Sequence, residues 1–255
     1  MAGTVIAHFT DCHLGQRLVM DGIIGGSRMR YDREPDAHFG RLRLVLDDIV
    51  RRDIGHVVFG GDIGAGDAVD RFFAVLSAYP VTTSFVLGNH DSYGDIARQG
   101  HAGATPVAGR LCSAQQDGAW TRIVIDTSDN TVGNAQLAWL DAELRGAGPV
   151  MLFSHHPVLE IDTPIERAGA ALRDRAGLKA VLLAAGREVT IFCGHYHMID
   201  DAREGTIRQH VSPAVSYQIV KGADGVQVDR STFGYRVIEI SDAGIRTQPV
   251  LLTEA

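Results

Sequence analysis

The sequence has no apolar run that approaches the roughly 18 residues needed by a membrane-spanning helix. Its start, Met1-Ala2-Gly3-Thr4, lacks both the basic residues and the long apolar stretch of a secretory signal. We therefore expect neither a membrane span nor a leader, and a cytoplasmic location. Hydrophobic residues make up 45% of the chain and charged residues 22%, which is typical of a globular protein.

Cysteine and positive charge are also in short supply. Cys12, Cys112 and Cys193 cannot all pair within one chain, and no Cys-x-x-Cys spacing indicates a zinc knuckle. Lys and Arg number 24 against 31 Asp and Glu, so the net charge is −7. A general nucleic-acid binder would normally carry a basic face. Nucleic acid is therefore not expected as a partner, and neither is a membrane.

We find no internal repeat, low-complexity tract or linker, so residues 1–255 are interpreted as a single domain. Short runs rich in Val, Ile and Phe alternate with segments of helical spacing, which predicts a layered α/β fold. The predicted strands are residues 5–9, 56–59, 84–87, 122–126, 150–153 and 189–193. The predicted helices are residues 36–52, 68–79, 135–145 and 168–185.

Residues 205–251 have a different pattern, with short strands and no helix between them. The predicted strands here are residues 207–211, 215–221, 226–229, 235–240 and 245–250. Gly- or Pro-containing turns separate them, which favours antiparallel pairing. We expect these strands to extend or cover a sheet edge, or to pair across a homo-oligomer.

Five of the strand-like runs are each followed by a polar cluster. The clusters are Thr10-Asp11-Cys12-His13, Gly60-Gly61-Asp62, Gly88-Asn89-His90-Asp91, Ser154-His155-His156-Pro157 and Gly194-His195-Tyr196-His197. They contain six of the eleven histidines, although they form a small part of the chain. Because ligands of α/β sheets bind beyond the carboxyl ends of strands, these clusters are predicted to converge on one site.

The residue types in these clusters favour a metal centre. Imidazole and carboxylate ligands together suit Zn, Mn or Fe. Asp11 and His13 are two residues apart, as are His195 and His197, so each pair would project to one side of an extended backbone. Any one motif could be only a turn, a strand end or a pair of solvated histidines. All five together, each after a strand, favour the metal interpretation.

The five motifs resemble those of the calcineurin-like metallophosphoesterase family over residues 4–198. The resemblance implies a four-layer α-β-β-α sandwich of two mixed β-sheets flanked by helices. It also implies two divalent metal ions (Mn, Fe or Zn) at one end of the sandwich. The implied ligands are Asp11, His13 and His197 for one ion, Asn89, His155 and His195 for the other, and Asp62 between the two.

The resemblance also implies roles for residues that are not ligands. His90 would be the general acid or charge stabiliser at the leaving group, with Asp91 orienting it. Asn89 and His156 are candidate substrate contacts, although His156 could instead cap its strand. A basic cluster in a Gly-rich stretch could contact a distal phosphate, act as a lid or be a solvated loop. Its members are Arg28, Arg30 and Arg33.

A looser resemblance narrows the function. His155-His156-Pro157, Ile125-Asp126-Thr127 and the helix start at Gln136, Trp139 and Leu140 are similar to bacterial class III cyclic-nucleotide phosphodiesterases and glycerophosphodiesterases. This implies hydrolysis of small phosphodiesters by water activated between two cations. A phosphomonoesterase with the same site is an alternative. A catalytically silent metal-binding scaffold is another, although such a scaffold would not need His90.

Overall fold

Strands and helices alternate along most of the chain, and strands alone follow residue 184. The computed structural model describes residues 4–23, 26–100, 106–241 and 243–254. In these ranges the strands are β1 (Thr4–Phe9), β2 (Gln16–Ile23), β3 (Gly26–Arg33), β4 (His56–Phe59), β5 (Thr82–Phe85), β6 (Ser113–Asp117), β7 (Trp120–Val124), β8 (Val150–Phe153), β9 (Val189–Cys193), β10 (Asp200–Glu204), β11 (Ile207–Val211), β12 (Gln218–Ile219), β13 (Val228–Asp229), β14 (Phe233–Ser241) and β15 (Gly244–Leu252). The helices are α1 (Phe39–Arg51), α2 (Ala68–Leu76), α3 (Tyr93–Arg98), α4 (Asn134–Glu143), α5 (Pro164–Arg167) and α6 (Arg175–Ala184).

Two mixed sheets form the centre of the fold. The first has the strand order β15-β14-β1-β4-β5, in which β1, β4 and β5 are parallel and β14 runs antiparallel to β1. The second has the order β10-β11-β9-β8-β7-β6, with antiparallel strands at both edges. Parallel strands bring their carboxyl ends to one edge of a sheet, so every polar motif follows a strand at that edge.

Alternating side chains build the layers. Ile6, Val58, Phe153 and Phe192 belong to a buried cluster shared by both sheets, whereas neighbours such as Phe9 pack against α1 and α2. Since successive strand residues point to opposite faces, each central strand buries one set against the other sheet and the next against helices. Helices α4 and α6 cover the second sheet in the same way. The four-layer sandwich is confirmed.

Most predicted elements lie within a few residues of their observed positions, with three corrections. The helix predicted over residues 168–185 is wrong: α5 ends before Gly169, whose φ of +88° breaks the helix, and α6 begins only at Arg175. The strand at 207–211 is parallel to β9, because β10 precedes it and takes the antiparallel edge. The predicted strand 215–221 is reduced to β12, since the Ser216 amide donates to the Asp11 carbonyl instead.

The Gly-rich basic stretch is not the solvated loop that was one sequence-based alternative. It forms an antiparallel hairpin of β2 and β3. Arg30 donates to Asp32, and Arg33 lies 3.5 Å from Asp67, so acids already partner these two cations. The Arg28 side chain lies outside the described residues. The contact of this basic cluster with a distal phosphate stays a prediction.

The last two strands, β14 and β15, are integral to the first sheet. Strand β14 pairs with β1 along its length, with Ile238 opposite Ile6, and β15 then forms the sheet edge. The expected extension of a sheet edge is confirmed, while pairing across a homo-oligomer stays a prediction. Within the described ranges, no helix has the length and apolarity that crossing a membrane would require.

A buried amide gives a test of the fold. The Gln209 side chain is fully buried; its Oε1 accepts from the amides of Val158 and Leu159, and its Nε2 donates to the Leu159 carbonyl. Replacing Gln209 with Met leaves both amides unsatisfied, so the free energy of unfolding should fall by about 2–4 kcal/mol. Urea unfolding measures this. Gln248→Met, at an exposed position of β15, should change it by less than about 0.5 kcal/mol; equal losses would contradict the explanation.

Candidate metal centre

All five polar motifs meet at one end of the sandwich. The first three follow β1, β4 and β5 of the first sheet, and the other two follow β8 and β9 of the second. Contacts across the seam join them: the His195 amide donates to Asp11 Oδ2 (3.0 Å), and His155 Nδ1 lies 2.8 Å from the Gly60 carbonyl. The predicted convergence of the motifs is confirmed.

The two-residue spacing of these ligand pairs suggested an extended backbone. The structure instead shows a coiled backbone at these positions. Five candidate ligands have φ between +43° and +67°, in the left-handed region: Asp11, His13, Asp62, His195 and His197. Such residues cost roughly 1–3 kcal/mol each and persist where surrounding contacts determine them. Here the Asp11 amide donates to the Gly61 carbonyl and the His13 amide to the Asp62 carbonyl. The side chains reach one site by this tight coiling.

Two buried carboxylates lie among the imidazoles. Asp62 Oδ2 is 3.5 Å from His13 Nε2 and 3.4 Å from His155 Nε2. Asp11 Oδ1 is 3.2 Å from His197 Nε2 and 3.9 Å from His155 Nε2. Three groups with metal-ligand spacing result: Asp11 with His13 and His197, Asp11 with Asp62 and His155, and Asp62 with His13 and His90.

Backbone carbonyls orient three of the imidazoles. His155 Nδ1 bonds the Gly60 carbonyl, His197 Nδ1 the Tyr217 carbonyl (3.1 Å) and His195 Nε2 the Ala170 carbonyl (2.8 Å). Each ring then presents its other nitrogen, which is the arrangement usual for metal-ligating histidine. His155 and His197 offer Nε2 to the groups above; the nitrogen of His195 that does not bond a carbonyl is Nδ1, and His195 is in none of those three groups.

The remaining side chains of the Gly-Asn-His-Asp motif lie beside these groups. Asn89 Oδ1 is 3.2 Å from His155 Nε2. His90 is exposed, and its backbone amide donates to Asp62 Oδ1 (2.9 Å). The Asp91 carboxylate accepts from the amides of Asp62, Ile63 and Gly88 at 2.7–2.9 Å. Asp91 was expected to orient the His90 ring; its bonds instead position the loop that carries Asp62.

His156 is buried rather than open to substrate. Its Nδ1 lies 2.9 Å from the Thr127 hydroxyl and its Nε2 2.8 Å from Asn130 Oδ1, so both ring nitrogens have protein partners. The ring packs 4.1 Å from that of His195. The candidate substrate contact is therefore corrected to a neighbour that supports His195.

The charge states suit cation binding. Burial lowers the pKa of His13 to about 3 and, with the nearby His155, that of His195 to about 4, so both rings are neutral at pH 7. Burial disfavours a charged His155, but Asp62 and Asp11 outweigh it and raise its pKa to about 10. Nearby imidazoles hold the pKa of both carboxyl groups below the usual range despite their burial.

The residues fit a pair of cations. Asp11 Oδ1 is buried and, in the described part of the chain, lacks a hydrogen bond of good geometry. The Nε2 atoms of His13 and His197 approach to 3.2 Å beside it. The neutral His13 ring and the ionised Asp11 oxygen converge with too few protons for hydrogen bonds among them, and a cation would satisfy both.

Sequence reasoning missed two tyrosines at this centre. Tyr31, on β3, stacks on His13, and Tyr217, before β12, stacks on His197. Their hydroxyl oxygens are 2.6 Å apart. Neither belongs to a motif, and 186 residues separate them, so no local pattern could have indicated the pair.

A cage of imidazole and carboxylate groups across the seam of two sheets is suited to metal-dependent hydrolysis. Residues 4–198 match the calcineurin-like phosphoesterase family, and the chain belongs to this family. It is accordingly a hydrolase that acts on phosphoesters and depends on metal ions.

Similar proteins agree with this assignment. A probable cyclic nucleotide phosphodiesterase of Fibrobacter succinogenes is 28% identical over 204 residues, covering 72% of this chain and 78% of the relative. A 3′,5′-cyclic adenosine monophosphate phosphodiesterase of Pseudomonas aeruginosa is 26% identical over 216 residues, covering 80% and 77%. A dimetal phosphatase structure from Danio rerio shares the fold, with a TM-score of 0.66 at 16% identity and 99% coverage of both chains.

The raised pKa of His155 predicts proton release on metal loading. The ring is protonated in the metal-free protein at pH 7–8, and it must lose that proton before Nε2 can bind a cation. Titration of metal-free protein with Mn²⁺ should release about one proton per chain from this ring. Calorimetry in buffers of different ionisation enthalpy measures it.

The matched control is His155→Gln, which has no proton to release at this position. Equal proton release by both proteins would contradict the assignment of the released proton to His155.

The raised pKa of His155 also affects the stability of the metal-free protein. Because the pKa in the folded state is raised, the stabilisation from charged His155 is fully present below about pH 6.5 and is lost as pH rises through about 10.

Proposed function

We propose that this protein is a two-metal phosphodiesterase that hydrolyses small diesters, with cyclic nucleotides as the favoured class. The observation that carries the proposal is the buried pair Asp11 and Asp62 among imidazoles, with the exposed His90 at its rim. The names of the two relatives support the substrate class.

We assign the ligands as the family resemblance suggests. Asp11, His13 and His197 would hold one ion, Asn89, His155 and His195 the other, and Asp62 would lie between them. The distances from Asp62 to His13 and His155 support its central role. When bound, two divalent ions lower the pKa of water and offset charge on the phosphate. Mixed nitrogen and oxygen ligands favour Mn, Fe or Zn.

The protein's own groups complete the chemistry. His90 is close enough to His13 and Asp62 to form a ligand group with them. Its exposure favours contact with substrate, so we assign it to donate a proton to the departing alkoxide oxygen. The Asp91 carboxylate keeps the Asp62 loop in place by accepting hydrogen bonds from three backbone amides. Asn89 would bind substrate as well as metal, whereas His156 supports His195 from behind.

Two further expectations stay predictions. We propose that residues 1–255 form one domain, because β14 from the C-terminal part pairs with β1, which carries the first motif. Cytoplasmic location rests on the sequence alone.

Substrate preference tests the proposal directly. With Mn²⁺ supplied, turnover of bis-p-nitrophenyl phosphate should exceed that of p-nitrophenyl phosphate by at least about tenfold in kcat/KM. Chromatography should show conversion of cyclic AMP to the monoester. Asp62→Asn, purified in parallel, controls for contaminating phosphatases. A monoester preference would favour a phosphomonoesterase, and no turnover of either compound would favour a scaffold.

A second test separates acid from ligand at His90. His90→Ala should lower kcat by about 10²–10⁴-fold on a substrate with a poor leaving group, because the alkoxide loses its proton donor. Metal content should stay at the wild-type value, measured by atomic emission after gel filtration. Asp62→Asn is expected to lose metal. If His90→Ala loses metal while retaining most of the rate per bound metal, the assignment is wrong.

A further inference from the structure

Two tyrosines enclose the Asp11 side of the centre. The Tyr31 ring lies 4.8 Å from that of His13 at 14°, and the Tyr217 ring 4.4 Å from that of His197 at 28°. A hydrogen bond of 2.6 Å between the two tyrosine hydroxyls joins the β2–β3 hairpin to the segment before β12. Tyr217 is buried and Tyr31 is half-buried, so packing restrains both rings.

His13 differs from the other imidazoles of the centre in how it is oriented. His155, His195 and His197 each bond a backbone carbonyl. The Nδ1 of His13 is buried without a hydrogen-bond partner among the described residues. Its Nε2 nevertheless points into the centre, 3.5 Å from Asp62. Something other than a hydrogen bond at Nδ1 must hold this ring.

The contacts of the ring identify what does so. Tyr31 lies nearly parallel to His13, while the opposing ring of His197 is 5.0 Å away at 30°. Stacking between aromatic rings stabilises the pair beyond what burial alone contributes. The Tyr31 hydroxyl also comes within 3.5 Å of His13 Nε2. Tyr31 in turn is fixed by its bond to Tyr217.

We infer that Tyr31, held by Tyr217, is the positioning residue for His13 and sets the metal affinity of the Asp11–His13–His197 group. The inference rests on the proposed function for its ligand set. In this inference the hairpin orients the His13 ring, as backbone carbonyls orient the rings of His155, His195 and His197. Loss of partners that orient a metal ligand typically costs 10–100-fold in metal affinity.

The test measures binding of Co²⁺ to metal-free protein without substrate, by competition with a fluorescent chelator. Tyr31→Leu keeps an apolar side chain under the hairpin but removes stacking, and it should lower the affinity for one of two Co²⁺ ions by about 10–100-fold. Tyr31→Phe keeps the stacking and should lower that affinity by less than about fivefold. Tyr217→Phe should lower it by the same factor as Tyr31→Phe, and combining the two Phe substitutions should lower it no further.

Absorption of bound Co²⁺ gives a second readout that general destabilisation would not move. Tyr31→Leu should change the visible spectrum of the weakened ion, while Tyr31→Phe should keep that of the wild type. Tyr79→Leu is the matched control: Tyr79 is also half-buried, and its hydroxyl bonds the exposed Asp47 of α1. It should leave both ions and the spectrum unchanged.

Two outcomes would overturn the inference. One is wild-type Co²⁺ affinity and spectrum in Tyr31→Leu; the other is equal weakening of both ions, which indicates general loosening. Wild-type turnover of the diester is measured separately. Its absence would count against the proposed function, whereas an unaltered Tyr31→Leu with an active wild type would count against the positioning role alone.

Discussion

Two buried carboxylates hold the centre together across the seam between the sheets. Asp62 comes from the first sheet and lies between His13 of that sheet and His155 of the second. Burying such charges costs several kcal/mol per ion unless partners compensate. Here imidazoles and backbone amides surround both groups, and the proton on His155 offsets part of the charge without metal. The contacts of these carboxylates thus also hold the two sheets together at this end of the sandwich.

The close approach of backbone segments follows from the same constraint. A side chain at Gly88 would collide with Asp62, and one at Gly61 would collide with the Gly88 backbone. Glycine is needed there for space, and at Gly61 also for a φ of +102°. The left-handed residues nearby add strain. Hydrogen bonds from backbone amides, to Asp91 and between the motifs, offset this strain. Of the nine residues other than glycine that have a left-handed φ in the described part of the chain, five lie at this centre.

The sequence predicts the motif residues because each follows a strand whose hydrophobic pattern is clear. Asp11, Asp62 and His155 could be placed at one edge of the sheets from parallel pairing alone. The coiling at His13 could not be predicted, since left-handed conformation at a residue other than glycine depends on tertiary contacts. Two of the three partners of Asp91 were missed because they are backbone amides 28 and 29 residues away.

The hairpin shows where local reasoning fails most. Gly-rich sequence with several arginines is typical of a loop, yet β2 and β3 pair over eight residues each. Among its described side chains, Tyr31 contributes a ring to the centre, and the hydrogen-bond partner of Tyr31 lies 186 residues further along the chain. Backbone carbonyls of Gly60, Ala170 and Tyr217 bond His155, His195 and His197, whereas the His13 ring stacks on Tyr31 of a hairpin that belongs to neither main sheet. If Tyr31 has the positioning role that we infer, substitutions in the hairpin should alter one half of the centre while leaving the sandwich intact.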